Sequence, residues 1–266
     1  MLNLNINTCK ICNKRTNFHD NSTVLNKYSI NYYFCPNCYF VQTEEPYWLE
    51  ESYSKAIASI DTGIISRNIL LSDQTVYLLK YFPEGNYLDY GGGHGIFTRL
   101  MRDYGFNFYH YDKYAENIYA NFFVGNLEKK YTLITAFELF EHLSNPLEEI
   151  KKLFLLTDTI IFSTVLVSTP PPLIKDWWYY ATTTGQHISF YTERTLHFIA
   201  KIYNCNFHTN NRNLHIFTKK KINTNIFKFL DRYIHFKSKL NLNKYYIKNS
   251  KTYQDMLYVI DNSINA

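Results

Sequence analysis

The chain has 266 residues, enough for one large domain and a small module. Its hydrophobic share of 46% supports a buried core, and a net charge of +5 is too small to demand a nucleic-acid partner. No apolar run reaches the roughly 18 residues that a membrane span needs. The opening MLNLNINTCK lacks the basic and apolar regions of a secretory signal, so a cytoplasmic protein is the expectation.

From the N-terminus, the first informative feature is a pair of CxxC motifs, Cys9–Cys12 and Cys35–Cys38. Two such pairs at this separation read as a zinc ribbon of four thiolates occupying residues 1–45, because each pair can sit on a tight knuckle whose N–H groups face the sulfurs. Cytosolic thiols stay reduced, which favours metal over disulfides. Cys205 is unpaired and reads as a buried thiol. Residues 39–60 read as a linker. The apolar spacing of IDTGIISRNILLSDQTVYLLKYF then predicts a helix that ends before Pro83, with Arg67 on it as a solvated charge.

Residues 87–100 read YLDYGGGHGIFTRL, a strand that turns tightly into a helix. Such a turn leaves backbone N–H groups aimed at a ligand, and Gly91, Gly93 and Gly95 let that ligand touch the main chain. Asp89 ahead of the turn suits a ligand with a cationic end and hydroxyls better than a pyrophosphate. NFYHYDKY at 107–114 is a second short strand that ends in Asp112, 23 residues after Asp89. An acid in that place binds ribose hydroxyls in doubly wound nucleoside-binding folds. Further strands are expected near 121–124, 132–137, 159–166 and 214–219, and helices near 95–104, 113–119, 145–156 and 192–203. Alternation of this kind implies a parallel α/β sheet.

Four blocks in order, LDYGGGHG, YDKY, TAFELFEHLSNPLEEI and GQHISFYTERTL, resemble the class I S-adenosylmethionine (SAM)-dependent methyltransferases. The resemblance covers about residues 60–218. It implies a Rossmann-like, mostly parallel sheet of about seven strands, flanked here by the small N-terminal ribbon and a helical C-terminal tail. It also implies Asp89 near the methionine end of SAM, Gly91 and Gly93 under it, Asp112 on the ribose diol, and Asn126 and Leu127 near the adenine. His94 stands where the family often has a small residue.

Candidates for chemistry should follow the fourth strand, at the carboxyl edge where open α/β sheets bind ligands. That place holds Glu138, Glu141 and His142, and His187 follows in GQHISF. If Ala136 to Leu143 begins a helical turn, the first three face one side. His142 and His187 are candidate bases for a hydroxyl proton, with Glu141 orienting His142. Two carboxylates and two imidazoles are also a candidate set for a catalytic divalent metal, with Glu138 among the ligands. The ExxEH…H pattern resembles that of small-RNA 3′-terminal 2′-O-methyltransferases and of ubiquinone-biosynthesis O-methyltransferases.

Between the fifth strand and His187, a proline-stiffened segment carries Trp177, Trp178, Tyr179 and Tyr180, which read equally as an acceptor lid or as packing. Residues 46–218 are thus the expected methyltransferase domain and 219–266 a basic helical extension. Between Lys219 and Lys251 ten Lys or Arg face one acid, a pattern that usually marks a solvated helix face. Taken together, ribbon, core and tail are similar to methyltransferases that accompany sugar and polysaccharide biosynthesis. The expected acceptor is a hydroxyl of a sugar, nucleotide-sugar or glycan. RNA 2′-O-methylation is the second reading, and a non-catalytic SAM-fold interaction protein the third.

Overall fold

The computed structural model describes residues 8–53, 63–223, 225–240 and 254. The described residues fall into two compact units. The first is drawn from Met1–Ala58, Phe137–Leu155 and Ile161–Lys220, and the second from Ser59–Ala136, Leu156–Ile160 and Lys221–Ala266.

In the first unit the hairpin β1 (Asn17–Val24) and β2 (Tyr28–Phe34) turns through Leu25 and Asn26, both at positive φ. It continues into β3 (Val41–Thr43) and the short helix α1 (Leu49–Ser52). These occupy much of the expected linker. The reason is burial: all three residues of β3 are inaccessible to solvent, and an unpaired strand there would strand its backbone polar groups. The sheet has the order β1-β2-β3-β8, in which β8 (Ser189–Phe190) comes from the far end of the sequence. Its core joins Val24, Ile30, Tyr32, Val41 and Trp48 to Ile174, Tyr179, Tyr180, Ile188 and Phe190. The ribbon is therefore packed into the fold and not strung beside it.

A second sheet has the order β5-β4-β6-β7-β10-β9. Strand β4 (Asn86–Tyr90) pairs in parallel with β5 (Asn107–Tyr111) and β6 (Leu133–Ala136), and β9 (Asn206–Thr209) pairs antiparallel with β10 (Leu214–Thr218). Strand β7 (Thr159–Ser163) is buried along its whole length, as a central strand covered on both faces should be. Helices α2 (Ile64–Leu78), α3 (Ile96–Asp103), α4 (Pro146–Leu156) and α5 (Glu193–Ile202) match their expected positions within a few residues.

The sheet has six strands where about seven were expected. Residues 121–124 make only the isolated bridge His110–Val124, and no helix forms over 113–119. Side chains compete with the helix there. Asp112 accepts from the N–H groups of Tyr114 and Ala115, and Asn117 Oδ1 accepts from Ala120 N–H. The carbonyl of His94 takes the N–H groups of Ile118 and Tyr119. Local polar bonds of this kind replace the i to i−4 ladder. Within the expected tail, helix α6 covers Ile226–Leu240, with Ile226, Phe227 and Leu230 buried and Tyr233 stacked on Tyr77 of α2. The rest of the basic tail lies outside the described residues, apart from residue 254. No helix among the described residues is long and apolar enough to cross a membrane.

Phe162 of β7 is fully buried, stacked on Phe140 at 4.0 Å and against Phe217 at 4.7 Å. Phe162→Ala should destabilise the fold by about 3–5 kcal/mol, through lost burial and the cavity left behind. A shift of the urea unfolding midpoint with unchanged slope checks this, and a cost below about 1 kcal/mol would contradict the packing described.

Candidate active site

In the second unit, β4 runs into the glycine turn and the turn into α3. Gly91, Gly93 and Gly95 all have positive φ, which an L side chain resists. Gly91 and Gly92 donate to the carbonyl of Tyr111, and Gly93 donates to Asp112 Oδ2 at 2.9 Å, so the turn is tied to the end of β5. A side chain built on Gly93 would meet no atom within 4 Å, which leaves open space over the main chain at that point. Gly92, which the alternating-glycine reading passes over, has no such space: a Cβ there would lie 2.4 Å from Asp89 Oδ2.

Asp112 sits half-buried at the rim of this turn, with Oδ1 on Tyr114 and Ala115 and Oδ2 on Gly93. Asp89 is placed differently from the expectation that it faces a ligand. Its carboxylate is buried beneath the turn, where Oδ2 accepts from Thr98 Oγ1 at 3.0 Å and Oδ1 from Thr135 Oγ1 at 3.1 Å. Burial pushes its pKa up to about 7 against the pull of the two threonines, with a smaller push from Asp112. Asn126 and Leu127 lie on an exposed turn, with Asn126 N–H donating to the Tyr131 hydroxyl at 2.8 Å. His94 donates from Nδ1 to the Glu116 carbonyl, 2.9 Å away.

In the first unit, the segment that follows β6 does not form the expected helical turn. Glu138 has φ 49°, and a 3-10 turn covers Phe140–His142. Glu138 is thereby separated from the other acid. Its N–H donates to Ser163 Oγ at 2.7 Å, and Ser163 Oγ donates to its Oε1 at 2.6 Å. Glu141, His142 and His187 come together instead, with one ligand-capable atom from each lying within 4.8 Å of the others.

The orientation of this trio is set by hydrogen bonds. Glu141 is fully buried, and its Oε1 accepts from the Tyr179 hydroxyl at 2.6 Å. His187 Nδ1 is 2.7 Å from the Tyr179 carbonyl, and His142 Nδ1 is 3.1 Å from the Gln186 carbonyl. A carbonyl only accepts, so both Nδ1 atoms carry the hydrogen and both Nε2 atoms carry the lone pair. The Tyr53 hydroxyl, 3.0 Å from His142 Nδ1, shares that hydrogen. The rings meet edge to face with centroids 4.9 Å apart. Burial, and secondarily His187, pushes His142 down to about 3, so it is neutral at physiological pH. Two imidazoles and a carboxyl group, with both rings held by main-chain carbonyls, can accept a proton or coordinate a divalent cation.

The aromatic run beside them is mostly packing. Tyr179 and Tyr180 are buried, the latter donating to the Pro172 carbonyl, and Trp177 packs on the same core. Trp178 alone is open, at 77% exposure. Tyr53, Tyr179 and Gln186 are site residues that the sequence reading does not single out for these roles. Their part depends on contacts between residues 38 to 134 positions apart, which no local pattern carries.

The four thiols form a separate cluster. Cys9 and Cys38 sulfurs are 3.4 Å apart, as are those of Cys12 and Cys35, and all four lie within 4.8 Å of one another. The two knuckles repeat each other bond for bond. Asn13 N–H donates to the Cys9 carbonyl and Tyr39 N–H to the Cys35 carbonyl. Cys9 N–H donates to Lys14 and Cys35 N–H to Phe40. Asn13 and Tyr39, each following the second cysteine of its pair, both have positive φ. A tetrahedral zinc with sulfurs at about 2.3 Å sets neighbouring sulfurs about 3.8 Å apart, close to the spacing here. The donor set fits the metal.

The sequence profile of a methyltransferase domain matches residues 66–210, more than half of the chain. The chain belongs to the methyltransferase-domain family. No curated protein sequence matches it. Among solved structures it is similar to TnmH, at 11% identity and a TM-score of 0.48, over 66% of this chain and 62% of that one. It is also similar to an O-methyltransferase family protein from Burkholderia thailandensis, at 11% identity and a TM-score of 0.47, over 68% and 65% of the two chains. A third is the magnesium protoporphyrin IX methyltransferase of Synechocystis PCC 6803, at 14% identity and 0.41, over 64% and 90%. The chain spans less than two thirds of the length of the first two.

Asp89 offers a test of the buried turn. An acid whose pKa is raised in the folded state favours folding most when neutral. Its contribution is present below about pH 4, is lost as pH rises toward 7, and is flat above that. The loss is on the order of 4 kcal/mol if the whole shift is expressed. Asp89→Asn, which cannot ionise, should flatten the fall in unfolding free energy between pH 4 and 7. An unchanged pH dependence in the variant would show that Asp89 is not the group responsible.

Proposed function

We propose that the chain transfers a methyl group from SAM to a hydroxyl of a sugar, nucleotide-sugar or glycan. The observation that carries this reading is the trio Glu141–His142–His187, with both Nδ1–H groups pinned on main-chain carbonyls. SAM would supply a methyl group on a sulfonium, ready for in-line displacement. The residues toward it fit: open space over Gly93, positive φ at Gly91, Gly93 and Gly95, and the half-buried Asp112 at the rim. Three of the four lone pairs of Asp112 are taken by N–H groups, which leaves one on Oδ2 for a ribose hydroxyl. Asn126 and Leu127 would flank the adenine. Asp89 keeps its assignment to the methionine end only through the turn it supports from below.

On the acceptor side, the Nε2 of His187 would take the proton as the hydroxyl oxygen becomes a nucleophile. His142, its basicity held low by burial, would share the resulting charge, and Glu141 would balance it. Trp178 offers an exposed indole face of the kind that stacks on sugar rings. A divalent cation held by Glu141, His142 and His187 is the second arrangement, supported by the convergence of their ligand atoms. It would act by lowering the hydroxyl pKa. Glu138, bonded to Ser163, is outside that set. A structural zinc on Cys9, Cys12, Cys35 and Cys38 belongs to the same reading. RNA as acceptor is the second reading, supported by the ribbon, the ExxEH…H pattern and the basic residues from Lys219 onward.

The experiment is methyl transfer on nucleotide-sugars and oligosaccharides, with SAM affinity followed in parallel. His187→Ala should lower turnover by about 10²-fold or more, as loss of a general base does, and leave SAM affinity within about twofold. With the ribbon zinc retained, EDTA should spare activity if the imidazoles work alone and abolish it if a catalytic cation is required. Acceptance of single-stranded RNA, with a log–log salt slope of roughly −0.7 per phosphate contact that flattens on truncation after Lys219, would replace the sugar reading. Full activity in both His142→Ala and His187→Ala would remove the trio from the chemistry.

A further inference from the structure

The thiol ribbon and the imidazole trio are joined by a short chain of buried and part-buried hydrogen bonds. It begins at the first knuckle, where Gln42 of β3 accepts from Lys10 N–H at 2.9 Å and donates to the Thr8 carbonyl at 3.1 Å. Gln42 is itself buried. The second knuckle is held by Thr195, at the start of α5, whose hydroxyl donates to the Cys38 carbonyl at 2.9 Å. Strand β3 then pairs with β8, Val41 opposite Phe190 and Gln42 opposite Ser189, and Thr43 N–H donates to the Ile188 carbonyl. Residue 188 directly follows His187.

Beyond β3 the same segment makes three more bonds onto this strand and its neighbour. Trp48 Nε1 donates to the Gly185 carbonyl at 2.8 Å. Gln186 Nε2 donates to the Ser52 carbonyl at 2.9 Å. The Tyr53 hydroxyl lies 3.0 Å from His142 Nδ1, and that nitrogen also reaches the carbonyl of Gln186. Gly185 has φ 66°, and a Cβ there would lie 2.7 Å from Val24 Cγ1 and 2.8 Å from Ser52 Oγ. Ribbon and strand are in contact too close for any side chain between them.

We propose that the four-cysteine ribbon is a positioning element for the imidazole pair: metal on the thiols fixes the knuckles, and through Gln42, Trp48 and Tyr53 the knuckles fix residues 185–188 and the His142 ring. Tyr53 is the terminal positioning residue of this line. The proposal rests on the reading of His142 and His187 as the groups that do the chemistry, but its consequence is structural and can be read without turnover. The ribbon is then a part of the active-site wall, and the metal state of the thiols sets whether that wall is formed.

The test uses the full chain, zinc-loaded and then stripped with a chelator, with S-adenosylhomocysteine as the binding probe. Three signals are followed: imidazole 15N spectra of His142 and His187, amide exchange of residues 185–190, and calorimetric affinity. In the loaded protein both rings should give the Nδ1–H tautomer. Stripping should return His142 to a tautomer mixture and raise exchange at 185–190 by at least tenfold, while S-adenosylhomocysteine affinity stays within twofold. Tyr53→Phe, with zinc retained, should broaden the His142 signal alone. Amide exchange at 86–90 and 133–136 serves as the internal control for general unfolding on stripping.

Unchanged tautomers and exchange after stripping would overturn the proposal. So would a change at 185–190 matched by equal loss of protection at 86–90. Failure of the sugar-acceptor reading would leave these three signals untouched, so the two failures are distinguishable.

Discussion

Burying the carboxylate of Glu141 is the demand around which the first unit is arranged. An ionised carboxylate removed from water costs several kcal/mol unless its oxygens find donors. The Tyr179 hydroxyl is one such donor, and bringing it there requires the chain from Thr164 to Gln186 to loop back over the turn at 140–143. Once there, the same tyrosine uses its carbonyl to hold His187 and its ring to pack against that imidazole at 4.6 Å. The returning strand closes the arrangement from the other side. Ile188 N–H donates to the Glu141 carbonyl, Ser189 Oγ to the Leu143 carbonyl, and Tyr191 to the Phe140 carbonyl. One buried carboxyl group thus orders two histidines that are 45 residues apart in the sequence.

The same economy explains why the ribbon is integral. A sheet of three short strands cannot bury much on its own, and small modules need a metal or a neighbour to stand. Here the neighbour is β8, and the core under it is made of Trp48 and Tyr32 from one end of the chain and Tyr179, Tyr180 and Phe190 from the other. The metal-type knuckles and this aromatic core are two supports for one small sheet. The four thiols hold its outer end, and the aromatic residues hold the end that faces the returning strand.

What was legible in the sequence follows the range of the forces involved. The strand–turn–helix at Tyr87–Leu100, the helices over 145–156 and 192–203, and the pairing of the CxxC motifs rest on local spacing, and all were readable. Thr192, for example, caps α5 by accepting from Thr195 N–H three residues on. The failures are of two kinds. Residues 113–119 have helical composition, but Asp112 and Asn117 spend their side chains on nearby N–H groups, a contest that periodicity does not register. Strand β3 was taken for linker because its partner β8 lies some 150 residues away. The grouping of Glu138 with Glu141 and His142 failed because a helical turn was assumed where Glu138 takes a positive φ and turns to Ser163.

The two aspartates of the glycine turn show how one residue type serves opposite ends. Asp112 is half-buried and accepts three backbone N–H groups. Asp89 is enclosed with the hydroxyls of Thr98 and Thr135 and the Thr98 main chain as partners, and burial outweighs them, so its neutral form is favoured up to about pH 7. Asp112 stands at the rim of the turn. The second acid lies beneath the main chain, where its contact with Gly92 leaves room for no other residue at that position. The glycines therefore answer to two constraints at once: Gly93 opens space above the turn, and Gly92 admits the carboxylate below it. A substitution at either would act through a different face of the same loop.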